Sequence, residues 1–275
     1  MKTIRQAVAD AAQRLRGENA ARDAELLLMH ALKIARASLL ANPQRELTRD
    51  EVARFDALII ERATGRPIQY ITGVQEFYGL EFAVTPDVLI PRPETEHLVE
   101  AVIARLPKDR AVQIADVGTG SGAIAVALAH ALPLAQVTAL DISRAALDVA
   151  QHNAKAHGVE ARVKFVESDL LAACADMKFD AVVSNPPYIA QGEELETQVR
   201  DFEPSLALFA GVTGYEVYER LIPQARNALS PNGLLAMEMG FGQSMRLTEL
   251  LCAWNDVEFV ADLRSISRVV LARRG

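Results

Sequence analysis

Residues 112–129 read as a strand, a glycine loop and a helix in direct succession: Val112-Gln113-Ile114-Ala115-Asp116-Val117, then Gly118-Thr119-Gly120-Ser121-Gly122, then Ala123-Ile124-Ala125-Val126-Ala127-Leu128-Ala129. The apolar residues up to Val117 suit a buried strand, and the small residues after Gly122 can pack a helix closely onto a sheet. Glycines let the backbone turn tightly and leave no Cβ between backbone and ligand. This succession points to an open α/β sheet, whose ligands bind at the carboxyl ends of strands. A lone glycine loop does not name its ligand. The dinucleotide fingerprint is G-x-G-x-x-G, whereas here the third glycine, Gly122, follows after one residue, so the spacing argues against a dinucleotide. Asp116 at the strand end would repel a pyrophosphate but suits a ligand that carries an ammonium group.

The next strands add carboxylates at the same edge. Gln136-Val137-Thr138-Ala139-Leu140 ends in Asp141, about 20 residues past the glycine loop, where a carboxylate accepts from ribose hydroxyls. A helix capped by Ser143 runs over 145–156 and stops at Gly158. Arg162-Val163-Lys164-Phe165-Val166 then delivers Ser168-Asp169-Leu170, with Asp169 placed to accept from an adenine amino group and Leu170 to cover the ring. Each acid alone reads more simply as a helix cap or a solvated loop carboxylate. Three at successive strand ends describe a site for an adenosine bearing positive charge, as in S-adenosylmethionine.

A fourth strand, Phe179-Asp180-Ala181-Val182-Val183-Ser184, stops at Asn185-Pro186-Pro187-Tyr188. Two prolines make the loop stiff and remove two N–H donors. Asn185 offers a side-chain carbonyl, the backbone carbonyls of Asn185 and Pro186 remain free to accept, and Tyr188 adds a flat aromatic face. Converging acceptors suit a planar –NH2 whose nitrogen attacks an electrophile. They promote that attack when they fit the tetrahedral nitrogen better than the planar one. The plain alternative, a rigid turn, is weakened by the glycine loop and the acids upstream.

With these residues in place the chain resembles the class I S-adenosylmethionine-dependent methyltransferases that modify planar amino nitrogens. Two families share the Asn-Pro-Pro-Tyr type of motif: adenine-N6 methyltransferases of nucleic acid and protein-glutamine N5 methyltransferases. Leu89-Ile90-Pro91-Arg92-Pro93-Glu94-Thr95-Glu96 is similar to the signature of the peptide chain release factor N5-glutamine methyltransferases. The resemblance covers most of the chain. It implies a Rossmann-like seven-stranded domain and methyl transfer from S-adenosylmethionine to the glutamine of the Gly-Gly-Gln motif in class 1 translation release factors. It also implies cofactor contacts at Asp116, Gly118, Thr119, Gly120, Ser121, Gly122, Asp141, Asp169, Leu170 and Asn185, and catalytic roles for Asn185, Pro186 and Tyr188. Substrate contacts fall to Asn185, Pro186, Pro187, Tyr188, Arg92 and Glu94. Leu170 stands where several members carry an aromatic residue. An adenine-N6 methyltransferase is the second reading, and a non-catalytic cofactor-binding module the third. The intact motif at 185–188 speaks against the third.

The front of the chain has another texture. Up to about Thr64 apolar residues recur at helical period, as in Ala7, Ala11, Leu15 and in Ala24, Leu27, Leu28, Ala31, with breaks at Gly17, Asn42-Pro43 and Gly65. This predicts a bundle of four or five short helices over 1–66, which recognises the protein substrate. A β-hairpin linker over 67–86 is expected, with arms Ile68-Gln69-Tyr70-Ile71 and Leu80-Glu81-Phe82-Ala83-Val84, and a methyltransferase domain over 87–275. Residues 189–214 read as a long charged loop, either a lid or docking lip beside the motif or a solvated connector. Pro231-Asn232-Gly233 should separate a helix from a strand over 234–239, and two antiparallel strands near 257–262 and 269–271 should close the sheet.

With 275 residues the chain can build a full core and two domains. A formal net charge of −7 opposes broad binding to nucleic-acid phosphates, so no direct nucleic-acid partner is expected. Two cysteines give neither metal spacing nor a disulfide framework, which makes a reducing cytoplasm the default and no metal the expectation. Charges interrupt every apolar run near the start, so neither a signal peptide nor a membrane anchor is expected. His30, His97, His130, His152 and His157 fall outside every motif and read as surface or interface residues.

Overall fold

The computed structural model describes residues 2–15 and 17–275; Met1 and Arg16, inside the expected front bundle, lie outside the described residues. The chain divides into two compact units, Met1–Val74 with Glu196–Phe202 and Gln75–Leu195 with Glu203–Gly275.

The first unit holds helices α1 (Ile4–Leu15), α2 (Ala20–Leu32), α3 (Arg36–Ala41), α4 (Arg49–Ala63) and α5 (Ile68–Thr72). Their helical-period residues meet in one core that includes Ile4, Ala7, Ala11, Leu27, Leu28, Phe55 and Ile59. Thr48 and Glu51 start α4 with a reciprocal capping box. Arg62 Nε donates to Asp23 Oδ2 at 2.8 Å, joining α4 to α2. The expected hairpin arm Ile68-Gln69-Tyr70-Ile71 is instead α5, entered from Pro67 and stopped by Gly73 in the left-handed region. Proline before and glycine after outweigh the strand preference of Ile and Tyr in so short a run.

A hairpin follows, β1 (Val74–Phe77) and β2 (Leu80–Ala83). Tyr78 and Gly79 both have positive φ, the conformation of a two-residue hairpin turn that matches strand twist. Then come α6 (Glu96–Arg105), β3 (Val112–Val117), α7 (Ala123–Ala131), β4 (Ala135–Asp141), α8 (Arg144–Ala156), β5 (Val163–Glu167) and β6 (Phe179–Ser184). The expected loop over 189–214 contains β7 (Ile189–Ala190), α9 (Thr197–Phe202, in the first unit), α10 (Ser205–Leu208) and β8 (Phe209–Gly211), with β7 and β8 paired in parallel. The chain ends with α11 (Glu216–Ala228), β9 (Leu229–Glu238), α12 (Ser244–Leu250), β10 (Asn255–Ala261) and β11 (Ser267–Arg273).

Seven strands form one sheet in the order β10-β11-β9-β6-β3-β4-β5, parallel from β9 to β5, with β11 antiparallel to both β9 and β10. Alternating residues feed two cores: Ile114 and Val126 belong to one, Ala115, Val117 and Met237 to the other. Pro231-Asn232-Gly233 does not end an element but sits inside β9 as an irregularity between the Phe179↔Leu229 and Ala181↔Leu234 pairs. Its backbone is absorbed by Arg274, which accepts from Asn232 N and donates to Gly233 O. After β5 the chain returns to place β6 beside β3, so strand order reverses there and a crevice opens at the carboxyl ends.

Candidate active site

The carboxyl ends of β3, β4, β5 and β6 line one cleft, which the 87–95 segment and the 204–207 lip complete. Its first rim is the glycine loop. Gly118 and Gly120 have φ of +73° and +55°, and a Cβ built on either meets nothing within 4 Å, so both backbones border open cleft. A ligand can approach peptide groups there with no side chain between, while the N–H groups of Gly118 and Thr119 donate to Leu140 O and that of Gly120 donates to Asp141. Gly122 serves packing instead. A Cβ there would lie 3.0 Å from that of Ala150, so its absence lets α7 approach α8.

Asp141 ties the loop to the end of β4. Its Oδ2 accepts from Gly120 N and its Oδ1 from Ser143 N, each at 2.9 Å, and the residue lines the cleft. Burial raises its pKa, while the backbone N–H groups of Ser143 and Gly120 pull it back down. The second lone pair of each oxygen can still accept from a diol. Asp169 and Leu170 also line the cleft. Leu170 has φ +53°, a strained setting for a branched side chain that turns it at the β5 end, and Asp169 pairs with Arg220 across a half-exposed surface.

Asp116 departs from expectation. It does not line the cleft but is fully buried behind it, Oδ2 accepting from the Thr119 hydroxyl at 2.6 Å and from Ala125 N at 3.1 Å. The strand's two-residue period explains this, since Asp116 falls on the face of Ile114, under α7. Burial pushes its carboxyl up to about 7, and Oδ1 has no hydrogen-bond partner among the described residues. Asp116 thus shapes the loop from within.

The second rim is the loop after β6. Asn185 and Pro187 line the cleft, whereas Pro186 is buried and Tyr188 is half-buried against the second core. Asn185 Nδ2 donates to Thr95 Oγ1 at 3.1 Å, and the Thr95 hydroxyl donates to Glu238 Oε2 at 2.6 Å. The Tyr188 hydroxyl reaches the other oxygen of the same carboxylate at 3.4 Å, and its backbone carbonyl accepts from Gln243 Nε2 at 3.1 Å. Two glycines make room for this ring and peptide. A Cβ at Gly240 would lie 3.0 Å from Tyr188 Cδ2, and one at Gly214 2.8 Å from its carbonyl oxygen. Tyr188 therefore stands behind Asn185, not as an open aromatic wall.

Of the two signature residues expected to contact substrate, Arg92 lines the cleft and pairs with buried Glu203, whose Oε2 also accepts from Ile90 N at 3.2 Å. This clasps the 204–207 lip to the signature segment. Glu94 is exposed and does not line the cleft. Thr95, Glu203 and Glu238 escaped the sequence reading. One signal was available for Glu238, an acid at the end of the otherwise apolar Leu234-Leu235-Ala236-Met237. None of the five histidines lines the cleft.

Comparison with known proteins bears on the family and the fold. Residues 95–202 match the family described as Methyltransferase small domain, and residues 6–73 match the PrmC N-terminal domain. The chain is 49% identical to the release factor glutamine methyltransferase of Koribacter versatilis over 91% of this chain and 90% of that one. It is 46% identical to that of Moorella thermoacetica over 99% of both chains. Among solved structures it is similar to the 16S rRNA N2 G1207 methyltransferase of T. thermophilus, solved with AdoMet and guanosine. That match has a TM-score of 0.54 at 22% identity, over 74% of this chain and 50% of that one, and it bears on the fold alone.

Proposed function

The chain belongs to the release factor glutamine methyltransferases, and from that premise we propose how its cleft divides the work of the reaction. The enzyme transfers a methyl group from S-adenosylmethionine to a release factor glutamine; we assign the target as N5 of the glutamine in the Gly-Gly-Gln motif of class 1 factors. When bound, the cofactor supplies an electrophilic methyl group on a sulfonium. Gly118, Thr119, Gly120 and Ser121 would hold its amino-acid end through backbone groups, Asp141 its ribose, and Asp169 with Leu170 its adenine. Asp116 and Gly122 would act indirectly, by setting the loop.

Asn185 Oδ1 and the Pro186 carbonyl would accept the two protons of the glutamine amide. An amide nitrogen is a weak nucleophile because its lone pair is delocalised, and acceptors placed for the tetrahedral nitrogen favour the attacking geometry. Positioning supplies most of the rate. Tyr188 would back the amide from behind Asn185, and Pro187 and Arg92 would border the glutamine's path. The observation that supports this reading best is the bond from Asn185 Nδ2 to Thr95, which leaves the Asn185 carbonyl as the acceptor toward the cleft.

The helical unit would recognise the body of the release factor, and a formal charge of −7 favours a protein over nucleic acid as partner. No described helix is long and apolar enough to cross a membrane. Both cysteines are free, and we place the reaction in the cytoplasm. The test is incubation of the purified protein with labelled S-adenosylmethionine and, separately, release factor, DNA and RNA. Label on the glutamine of release factor is the expected result. Label on an adenine amine instead would transfer the reading to nucleic acid.

A further inference from the structure

Asparagine's side-chain amide can turn either its oxygen or its nitrogen toward a substrate, and only its neighbours decide which. At Asn185 the deciding neighbour is Thr95, and Thr95 is itself governed by Glu238. A hydroxyl has one proton to give. That of Thr95 goes to Glu238 Oε2 at 2.6 Å, so toward Asn185 the oxygen can only accept, and Asn185 Nδ2 donates to it at 3.1 Å. Thr95 is 4% exposed and Glu238 3% exposed, so water does not compete for these bonds. Glu238 has no direct place in the cleft, whereas Thr95 and Asn185 both line it.

We infer that Glu238, acting through Thr95, is a positioning residue for methyl transfer: it fixes the amide of Asn185 with the carbonyl toward the target nitrogen. This rests on the reading of Asn185 given above. The carboxylate also accepts from the Tyr188 hydroxyl, so one buried group orients both ends of the 185–188 loop. A neutral amide at 238 cannot reproduce this. If its –NH2 faces Thr95, the threonine proton is freed to donate to Asn185 Oδ1, which flips the amide and sets –NH2 against the substrate –NH2. If its –NH2 faces Tyr188 instead, the phenol loses its acceptor.

The test compares Glu238→Gln, Thr95→Val, Thr95→Ser and Asn185→Ala in the full chain. Single-turnover methylation of release factor is measured at saturating S-adenosylmethionine, with cofactor affinity by calorimetry. Glu238→Gln and Thr95→Val should lose about tenfold or more in single-turnover rate, the scale on which small misplacements act. Cofactor Kd should stay within about twofold, because the glycine loop is untouched. Thr95→Ser, which keeps the hydroxyl, should recover most of the rate. If Asn185→Ala is inactive while Glu238→Gln and Thr95→Val turn over like wild type, the relay is refuted and the role of Asn185 stands. If Asn185→Ala is itself fully active, the reading of the motif fails, and the relay with it. Should Glu238→Gln not fold, the Thr95 pair decides: equal losses in Val and Ser, or a parallel loss of cofactor affinity, would show a purely structural role.

Discussion

The two rims of the cleft are fastened in opposite ways. The glycine-loop rim is held largely through backbone groups: Ala125 N donates to Asp116, Gly120 N and Ser143 N donate to Asp141, and Ser121 O accepts from Asn153 Nδ2. The 185–188 rim is held by side chains from far away in sequence, with Asn185 bonded 90 residues off to Thr95 and Tyr188 bonded 50 off to Glu238. A backbone-lined rim tolerates many side chains and gives affinity for a cofactor. A rim of interlocked side chains fixes one amide orientation and gives rate. The two rims should therefore fail differently.

The sharpest test of that contrast is Asn185→Ala. Removing one positioned polar group in such a site costs on the order of 10²–10³ in rate. The loss should fall on kcat in single-turnover kinetics, with S-adenosylmethionine binding within a few-fold. Equal losses in kcat and in cofactor affinity would erase the distinction between the rims.

Asp141→Ala probes the other rim and should do the reverse. It removes hydrogen bonds that involve a charged group, worth about 1.5–3 kcal/mol in cofactor affinity by calorimetry. The maximal rate at saturating cofactor should change far less. Unchanged affinity would take Asp141 out of the cofactor site.

Acidity should separate the rims as well. Burial pushes Glu238 up to about 7, with exposed Glu94 raising it further and Thr95, Tyr188 and Arg268 opposing. Arg268 is itself paired with Asp262, Tyr218 donates to the Glu238 backbone carbonyl, and Arg92 acts on Tyr188. Below pH 7 a proton on Glu238 removes one of its two acceptor oxygens, so kcat should fall by about tenfold per pH unit as a single limb. Stability runs the other way. A carboxyl whose pKa is raised in the folded state stabilises fully below its unfolded value and loses that stabilisation as pH rises through about 7. Asp116, also near 7, has the same sign. Chemical unfolding should thus become easier between pH 4.5 and pH 7 while turnover rises. A flat kcat profile over this range would detach Glu238 from the reaction.

The smallest effect expected is that of Arg220→Ala. The Arg220–Asp169 pair has side chains 52% and 49% exposed, and such pairs contribute about 0–1 kcal/mol. Thermal unfolding should barely move. A severalfold change in cofactor affinity would show that Arg220 sets where Asp169, 51 residues away along the chain, points.

How much of this was written in the sequence follows the same division. The strand, glycine loop and helix over 112–129, the acid at the end of β4 and the stiff motif after β6 were legible because local period and turn chemistry fix them. So was the helical front unit, from its apolar stripes. The helix at Ile68–Thr72, the ordered pieces within 189–214 and the irregularity at Pro231-Asn232-Gly233 were not. Short segments carry too few residues for a period to show, and their fate depends on partners elsewhere, as Arg274 decides for Asn232 and Gly233. The sequence by itself determined which chemical groups reach the sheet edge, because strand ends and glycine turns are local matters. Only the tertiary structure decided which of those groups face the cleft. It turned Asp116 inward under α7, drew Tyr188 back onto Glu238 and brought Thr95 beside Asn185, since a side chain's direction and its hydrogen-bond partner are set by packing between elements far apart in the chain.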